Sequence, residues 1–181
     1  MSRLIVNQIQ GDAVSKEIEI PTGHKLNITD TAALVVPGAV LQTVSNSFGN
    51  NDNGTSTSFF DTSVNISLTT KRANSKVMYL GQLGLNCSTG KYMVVRLVRR
   101  IGGDSSTDTA IHEPNRISYA GTGGSGDLEA WNSFNYVDDP QQPAGTEIEY
   151  RIQIRNANVQ SGSVRIGDNA NSYVIIQEIC T

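Results

Sequence analysis

Hydrophobic and polar side chains alternate with a period of two along most of this chain. The clearest case is Ile148, Tyr150, Ile152 and Ile154, set between Glu147, Glu149, Arg151, Gln153 and Arg155. Val64, Ile66 and Leu68 alternate in the same way with Asn65, Ser67 and Thr69. Over Tyr92 to Ile101, Met93, Val95, Leu97 and Ile101 fall on one side and Arg96 and Arg100 on the other. Successive side chains of a strand point to opposite faces, so each stretch predicts a half-buried strand. Val77-Met78-Tyr79-Leu80 is apolar on both faces and predicts a central strand. The run Tyr173 to Ile179, apolar and nearly uncharged, predicts a last strand buried between neighbours. Turns are expected at Asn53-Gly54, Lys71 to Ser75 and Ser88-Thr89-Gly90, with a loop over Gly102 to Asp108 and a glycine-rich one over Gly121 to Gly126. No stretch has the 3.6-residue period of an amphipathic helix. About eight short strands with Gly and Asn turns predict an all-β protein, a jelly-roll-like β-sandwich head over residues 38–181.

Residues 1–37 read differently. Leu4, Val6 and Ile9, then Ile18 and Ile20, then Leu26 and Ile28 make narrow apolar stripes broken by Pro21-Thr22-Gly23 and closed by Pro37-Gly38. An isolated pair of strands is marginal in water. These seven side chains are therefore expected to be buried against other polypeptide, as an extended N-terminal attachment segment.

Charged residues make up 17% of the 181, below the roughly 25% of ordinary soluble domains. Ser, Thr, Asn and Gly fill the difference, since the hydrophobic fraction is only 38%. The net charge of −3 is spread along the chain with no basic stripe, which argues against nucleic acid as a partner. No run approaches the roughly 18 apolar residues of a membrane span. The opening Met1-Ser2-Arg3-Leu4 lacks the form of a secretory leader, so synthesis in a cytoplasm is expected. Cys87 and Cys180 are then expected to be small buried residues rather than a disulfide.

Three segments together resemble virion structural and fibre-like proteins of tailed bacteriophages, especially those of aquatic bacteria. They are Leu4-Ile5-Val6-Asn7-Gln8-Ile9-Gln10, Ile20-Pro21-Thr22-Gly23-His24-Lys25-Leu26 and Val36-Pro37-Gly38-Ala39-Val40-Leu41-Gln42-Thr43-Val44. Phe59-Phe60-Asp61, Val64 to Thr69 and Ser75-Lys76-Val77 resemble the start of the head in that family. The resemblance covers roughly residues 1 to 80 by motif and the rest by strand rhythm. It implies a homotrimeric virion appendage, assembled in the host cytoplasm, with a head of the kind seen in tumour-necrosis-factor-like trimers. Other virion proteins of tail or capsid would be its partners through the N-terminal segment. The chain is short for a fibre shaft, which keeps a capsid decoration or cement role open beside the appendage.

Catalytic chemistry finds little footing, and no enzyme is expected. The glycine run Gly121 to Gly126 lacks the Gly-x-Ser-x-Gly spacing of a nucleophile elbow and the Lys-Ser or Lys-Thr ending of a phosphate loop. His24 lies in a turn, and His112 and Glu113 point to opposite strand faces, so no metal site or cofactor is expected. Asn50-Asn51-Asp52-Asn53-Gly54 lacks the trailing glutamate of a calcium loop. The remaining candidates are the aromatics Trp131, Phe134 and Tyr136. Flat rings stack on sugars, so Trp131 and Tyr136 are candidates for binding a host-surface glycan. Phe134 and Tyr136 share a strand face, which core burial or a trimer interface explains equally well.

Overall fold

The computed structural model describes residues 22–23, 36–49, 52–87, 92–113, 118–119, 128–157, 163–167 and 171–181. Contacts divide the chain into Met1–Leu34 and Val35–Thr181, and the architecture below is that of the second unit. Its strands are β1 (Val40–Phe48), β2 (Asp52–Gly54), β3 (Phe60–Thr69), β4 (Lys76–Cys87), β5 (Tyr92–Ile101), β6 (Asp104–His112), β7 (Ser118–Tyr119), β8 (Leu128–Asp138), β9 (Glu147–Asn156), β10 (Val164–Ile166) and β11 (Ser172–Ile179). No helix occurs among the described residues.

The pairing is nested. Among the eight long strands the first pairs with the last, β1 with β11, and the second with the seventh, β3 with β9. The third pairs with the sixth, β4 with β8, and the fourth with the fifth, β5 with β6. Two further pairings, β11 with β4 and β9 with β5, lay these ribbons out as two antiparallel sheets. The orders are β1-β11-β4-β8 and β3-β9-β5-β6, the arrangement of a jelly roll. Short β10 and β2 extend the first sheet beside the far end of β4, and β7 lengthens the second beside β5.

Period-two patterning decides which side chains meet between the sheets. Val64, Ile66 and Leu68 of β3, Met93, Val95 and Leu97 of β5 and Ile148, Tyr150, Ile152 and Ile154 of β9 are buried there. Facing them are Val77, Tyr79, Leu83 and Leu85 of β4, Phe134 of β8 and Val174 and Ile176 of β11. Gly81 makes room for one of the largest of these, because a Cβ there would lie 2.9 Å from Tyr79 Cε1. The C-terminal strand is enclosed by β1 and β4, as its apolar run predicts.

Two polar clusters fasten this interior. Asp138 at the end of β8 accepts from Arg99 Nη1 at 2.8 Å and from Tyr150 Oη at 2.9 Å, clamping one sheet to the other. Arg99 therefore points inward, opposite to Arg96 and Arg100. Glu178 is fully buried and accepts from the backbone N–H groups of Lys71 and Arg72, the Ser75 hydroxyl and the Gln42 amide. That carboxylate staples the turn before β4 onto β11 and β1. Cys87 and Cys180 are both buried.

Two local expectations are corrected. Asn53-Gly54 is not a turn but the end of β2, paired with Val164 and Arg165 of β10. Gly54 is needed there because a Cβ would come 2.5 Å from Phe60 Cζ. The loop expected over Gly102 to Asp108 is instead a tight hairpin. Ile101 pairs with Asp104 across Gly102 and Gly103, whose φ values of 61° and 72° suit a two-residue primed turn.

Candidate interaction surface

A two-layer sandwich has inner faces to bury and outer faces for solvent, so a strand apolar on both faces leaves one apolar face outside. β4 and β11 are such strands. Their inward sets are Val77 and Tyr79, and Val174 and Ile176; their outward sets are Met78 and Leu80, and Tyr173 and Ile175. Register then aligns Ser45, Ile175, Leu80 and Asn135 in one row across the sheet. The next row is Thr43, Gln177, Met78 and Val137. Tyr173 remains 48% exposed, Ile175 39%, Val137 53% and Trp131 51%.

Two open hollows flank the Tyr173 and Ile175 side chains. One, of about 470 Å³, is lined by Ser45, Asn46 and Ser47 together with Tyr173 and Ile175. The other, of about 260 Å³, lies over Leu80, Gln82 and Asn135. Between Lys76 and Gln82, Lys76 is the one charged residue in these rows; the others are apolar or carry neutral amides and hydroxyls. A half-exposed Trp or Tyr, with roughly 150–250 Å² in all, leaves about 100 Å² uncovered. At about 25 cal/mol per Å², covering Trp131 and Tyr173 alone is worth about 5 kcal/mol per protomer.

The outer face of the other sheet is built oppositely. Arg100 donates to Asp108 at 2.7 Å and lies 3.8 Å from both Asp61 and Glu149. Arg151 pairs with Asp61 and, at 3.2 Å, with Glu149. The hydrogen bond from Arg100 holds the Asp108 carboxyl below its ordinary value, and Asp108 in turn raises the Arg100 guanidinium. Farther along, Arg96 stacks on Phe59 at 3.9 Å, and Arg155 reaches the same ring at 5.0 Å. This face is charged, with ion pairs around Arg100 and Arg151, where the first is apolar.

The two aromatic candidates part company. Trp131 faces outward, while Tyr136, five residues along β8, faces inward and stacks on His112 at 5.0 Å and 21°. Phe134 meets His112 edge-on at 5.1 Å and Tyr79 at 6.3 Å. His112 and these rings close the gap between the β6 and β8 edges of the two sheets. Trp131 and Tyr136 thus lie on opposite faces of one strand and make no common platform for a sugar.

Leu4, Val6, Ile9, Ile18, Ile20, Leu26 and Ile28, with His24 and the Gly121 to Gly126 run, lie outside the described residues. No group of three His, Cys, Asp or Glu converges among the described residues. Asp52 accepts from the Ser63 N–H at 2.7 Å and its hydroxyl at 2.6 Å, a strand-to-strand tie. Burial, and then the Asp138 carboxylate, push the Tyr150 phenol well above its ordinary range, so it stays a neutral donor in the clamp. No helix among the described residues is long and apolar enough to cross a membrane.

No family model matches the chain, and no curated protein matches it. Among solved structures it is similar to T=1 particles derived from infectious bursal virus, at 14% identity and a TM-score of 0.41, covering 77% of this chain and 36% of that one. It is similar to the Gx strain of infectious bursal disease virus at 13% identity and a TM-score of 0.40, covering 77% and 37%. A T13 particle of the same virus gives 14% identity and a TM-score of 0.41. The chain spans little more than a third of the length of those chains. The jelly-roll assignment rests on the nested strand order.

Proposed function

We propose that this chain is a structural component of a virus particle, a homotrimeric surface appendage of a tailed bacteriophage whose heads associate through the outer face of the β1-β11-β4-β8 sheet. The observation that carries the reading is the apolar, uncharged patch around Tyr173 and Ile175 on a sandwich whose other outer face is charged and carries ion pairs. Exposed apolar patches of several hundred Å² mark interaction sites. A neutral patch with projecting side chains beside hollows of side-chain size fits a further copy of the same surface better than a charged partner. Around a three-fold axis, three such faces cover one another, and three N-terminal segments then engage the particle together. Each of those contacts is weak, and simultaneous engagement supplies avidity.

The N-terminal segments that resemble tailed-phage fibre proteins support the virion reading and an attachment role for residues 1–37. Gold-labelled antibody against the chain is expected to decorate purified particles at the tail. Decoration of the capsid lattice instead would make it a cement protein. Absence from density-purified particles would overturn the virion reading altogether.

A further inference from the structure

Charge is unevenly matched along the outer face of the β3-β9-β5-β6 sheet. At one end Arg100 and Arg151 share Asp61, Asp108 and Glu149, three carboxylates for two guanidinium groups. At the other end Arg96 and Arg155 bring their guanidinium carbons within 3.9 and 5.0 Å of one Phe59 ring centroid. Neither makes an ion pair among the described residues. Arg96 gives its Nε–H to Gln153 Oε1 at 2.7 Å, and the Gln153 amide is itself anchored on Asp61 at 2.6 Å. That bond fixes the Nε edge of Arg96 on the outer face of the sheet. The Arg155 guanidinium lies over the same ring, and its Nε meets no hydrogen-bond partner among the described residues.

Two like charges gathered at one ring repel each other, and the face of a phenyl ring offsets this only in part. An oxyanion set between them would remove the repulsion and accept several N–H donors in the forked geometry that guanidinium groups offer. The adjoining carboxylates limit what can bring that oxyanion. A nucleic-acid strand, with a phosphate about every 3.4 Å, would run its next charges into Asp61 and Glu149. An isolated negative group on an otherwise neutral ligand meets no such penalty. The segment leading to Phe59 is hydroxyl-rich and exposed at Thr55, Ser56, Thr57 and Ser58, which suits a ligand that is itself covered in hydroxyls.

We propose that Arg96, Arg155 and Phe59 form a binding site for the carboxylate or sulfate group of an acidic saccharide. The site lies on the sheet opposite the self-association face, so occupancy does not compete with assembly.

The full chain is titrated with sialyllactose, with its methyl ester as the uncharged control, lactose 3′-sulfate as the sulfate arm, and poly-glutamate and double-stranded DNA as polyanions of other classes. Binding is read by calorimetry and by backbone amide shifts at Phe59, Arg96 and Arg155. Saturable binding of sialyllactose or lactose 3′-sulfate, absent with the ester and weakened at least about tenfold by Arg155→Gln and by Arg96→Gln, is the expected result. Far-UV circular dichroism of each variant separates a binding defect from a folding one. The doubly substituted Arg96→Lys, Arg155→Lys chain keeps both charges but not the forks, and is expected to bind more weakly than wild type. Equal binding by wild type and both Gln variants, equal binding of the ester, preference for DNA or poly-glutamate, or no saturation by either saccharide would each overturn the proposal.

Discussion

The Glu178 staple gives the sharpest test of how the head is held. Its carboxylate is buried, pairs with no cationic side chain among the described residues, and accepts from Lys71 N at 2.9 and 3.0 Å, Arg72 N at 3.1 Å, Ser75 Oγ at 2.6 Å and the Gln42 amide. Glu178→Ala strands these donors and opens a void between β11 and the turn before β4. A buried donor left unmade costs about 1–3 kcal/mol. The Lys71 and Arg72 amides can turn toward solvent, so their share is discounted, and the contributions are not additive within one network. The expected loss is about 3–4 kcal/mol, or about 10 °C in melting temperature for a domain of this size. Glu178→Gln keeps the shape but points an NH₂ at other donors, and should lose about 1–2 kcal/mol. Urea denaturation followed by far-UV circular dichroism reads both. A loss below about 1 kcal/mol for Glu178→Ala, or a greater loss for Gln than for Ala, would refute the staple.

Three further outcomes follow from other contacts. Asp108 has a folded pKa held below its ordinary 3.8 by the hydrogen bond from Arg100, and Asp104 is lowered by the Ser106 N–H. A depressed carboxylate lends stability above its unfolded value and loses it as pH falls through the folded value. The urea midpoint should therefore drop as pH is taken below about 4, and Asp108→Asn should flatten that drop; an unchanged acid profile in the variant contradicts the pairing. Gly54→Ala drives a Cβ into the Phe60 ring and should cost about 1–3 kcal/mol, partly recovered by Phe60→Leu; a neutral Gly54→Ala would mean that the two strands separate freely. Deleting residues 1 to 37 should leave a head with an unchanged circular dichroism spectrum that no longer joins particles, and normal incorporation of the deleted chain would remove the attachment role.

The inner faces were legible because burial on one side preserves period two. Ile148, Tyr150, Ile152 and Ile154 are all buried, and Arg96 and Arg100 point away from the core as their spacing requires. The first half of β6 was not legible: Asp104 to Asp108 holds only Asp, Ser and Thr, exposed except at Thr107, and has no apolar stripe to alternate. Arg99–Asp138 could not be read either, since a pair 39 residues apart is set by the sheet order and not by local spacing. The apolar outer face was half visible. Val77 to Leu80 and Tyr173 to Ile176 are apolar on both faces, and burial between the sheets accounts for only one of them. In a fold of two layers the second face is left on the outside. Trp131 and Tyr136 were grouped by proximity in sequence, yet their odd separation along β8 assigns them to opposite faces.

The mass of the full chain in solution tests the account most directly, measured by sedimentation equilibrium across a range of concentrations, for wild type and for Ile175→Asp. The account predicts three times 19.5 kDa for wild type and a shift to 19.5 kDa when a carboxylate is placed on the apolar face. A wild-type chain that stays at 19.5 kDa contradicts self-association, and a trimer indifferent to Ile175→Asp contradicts the face through which it is said to form.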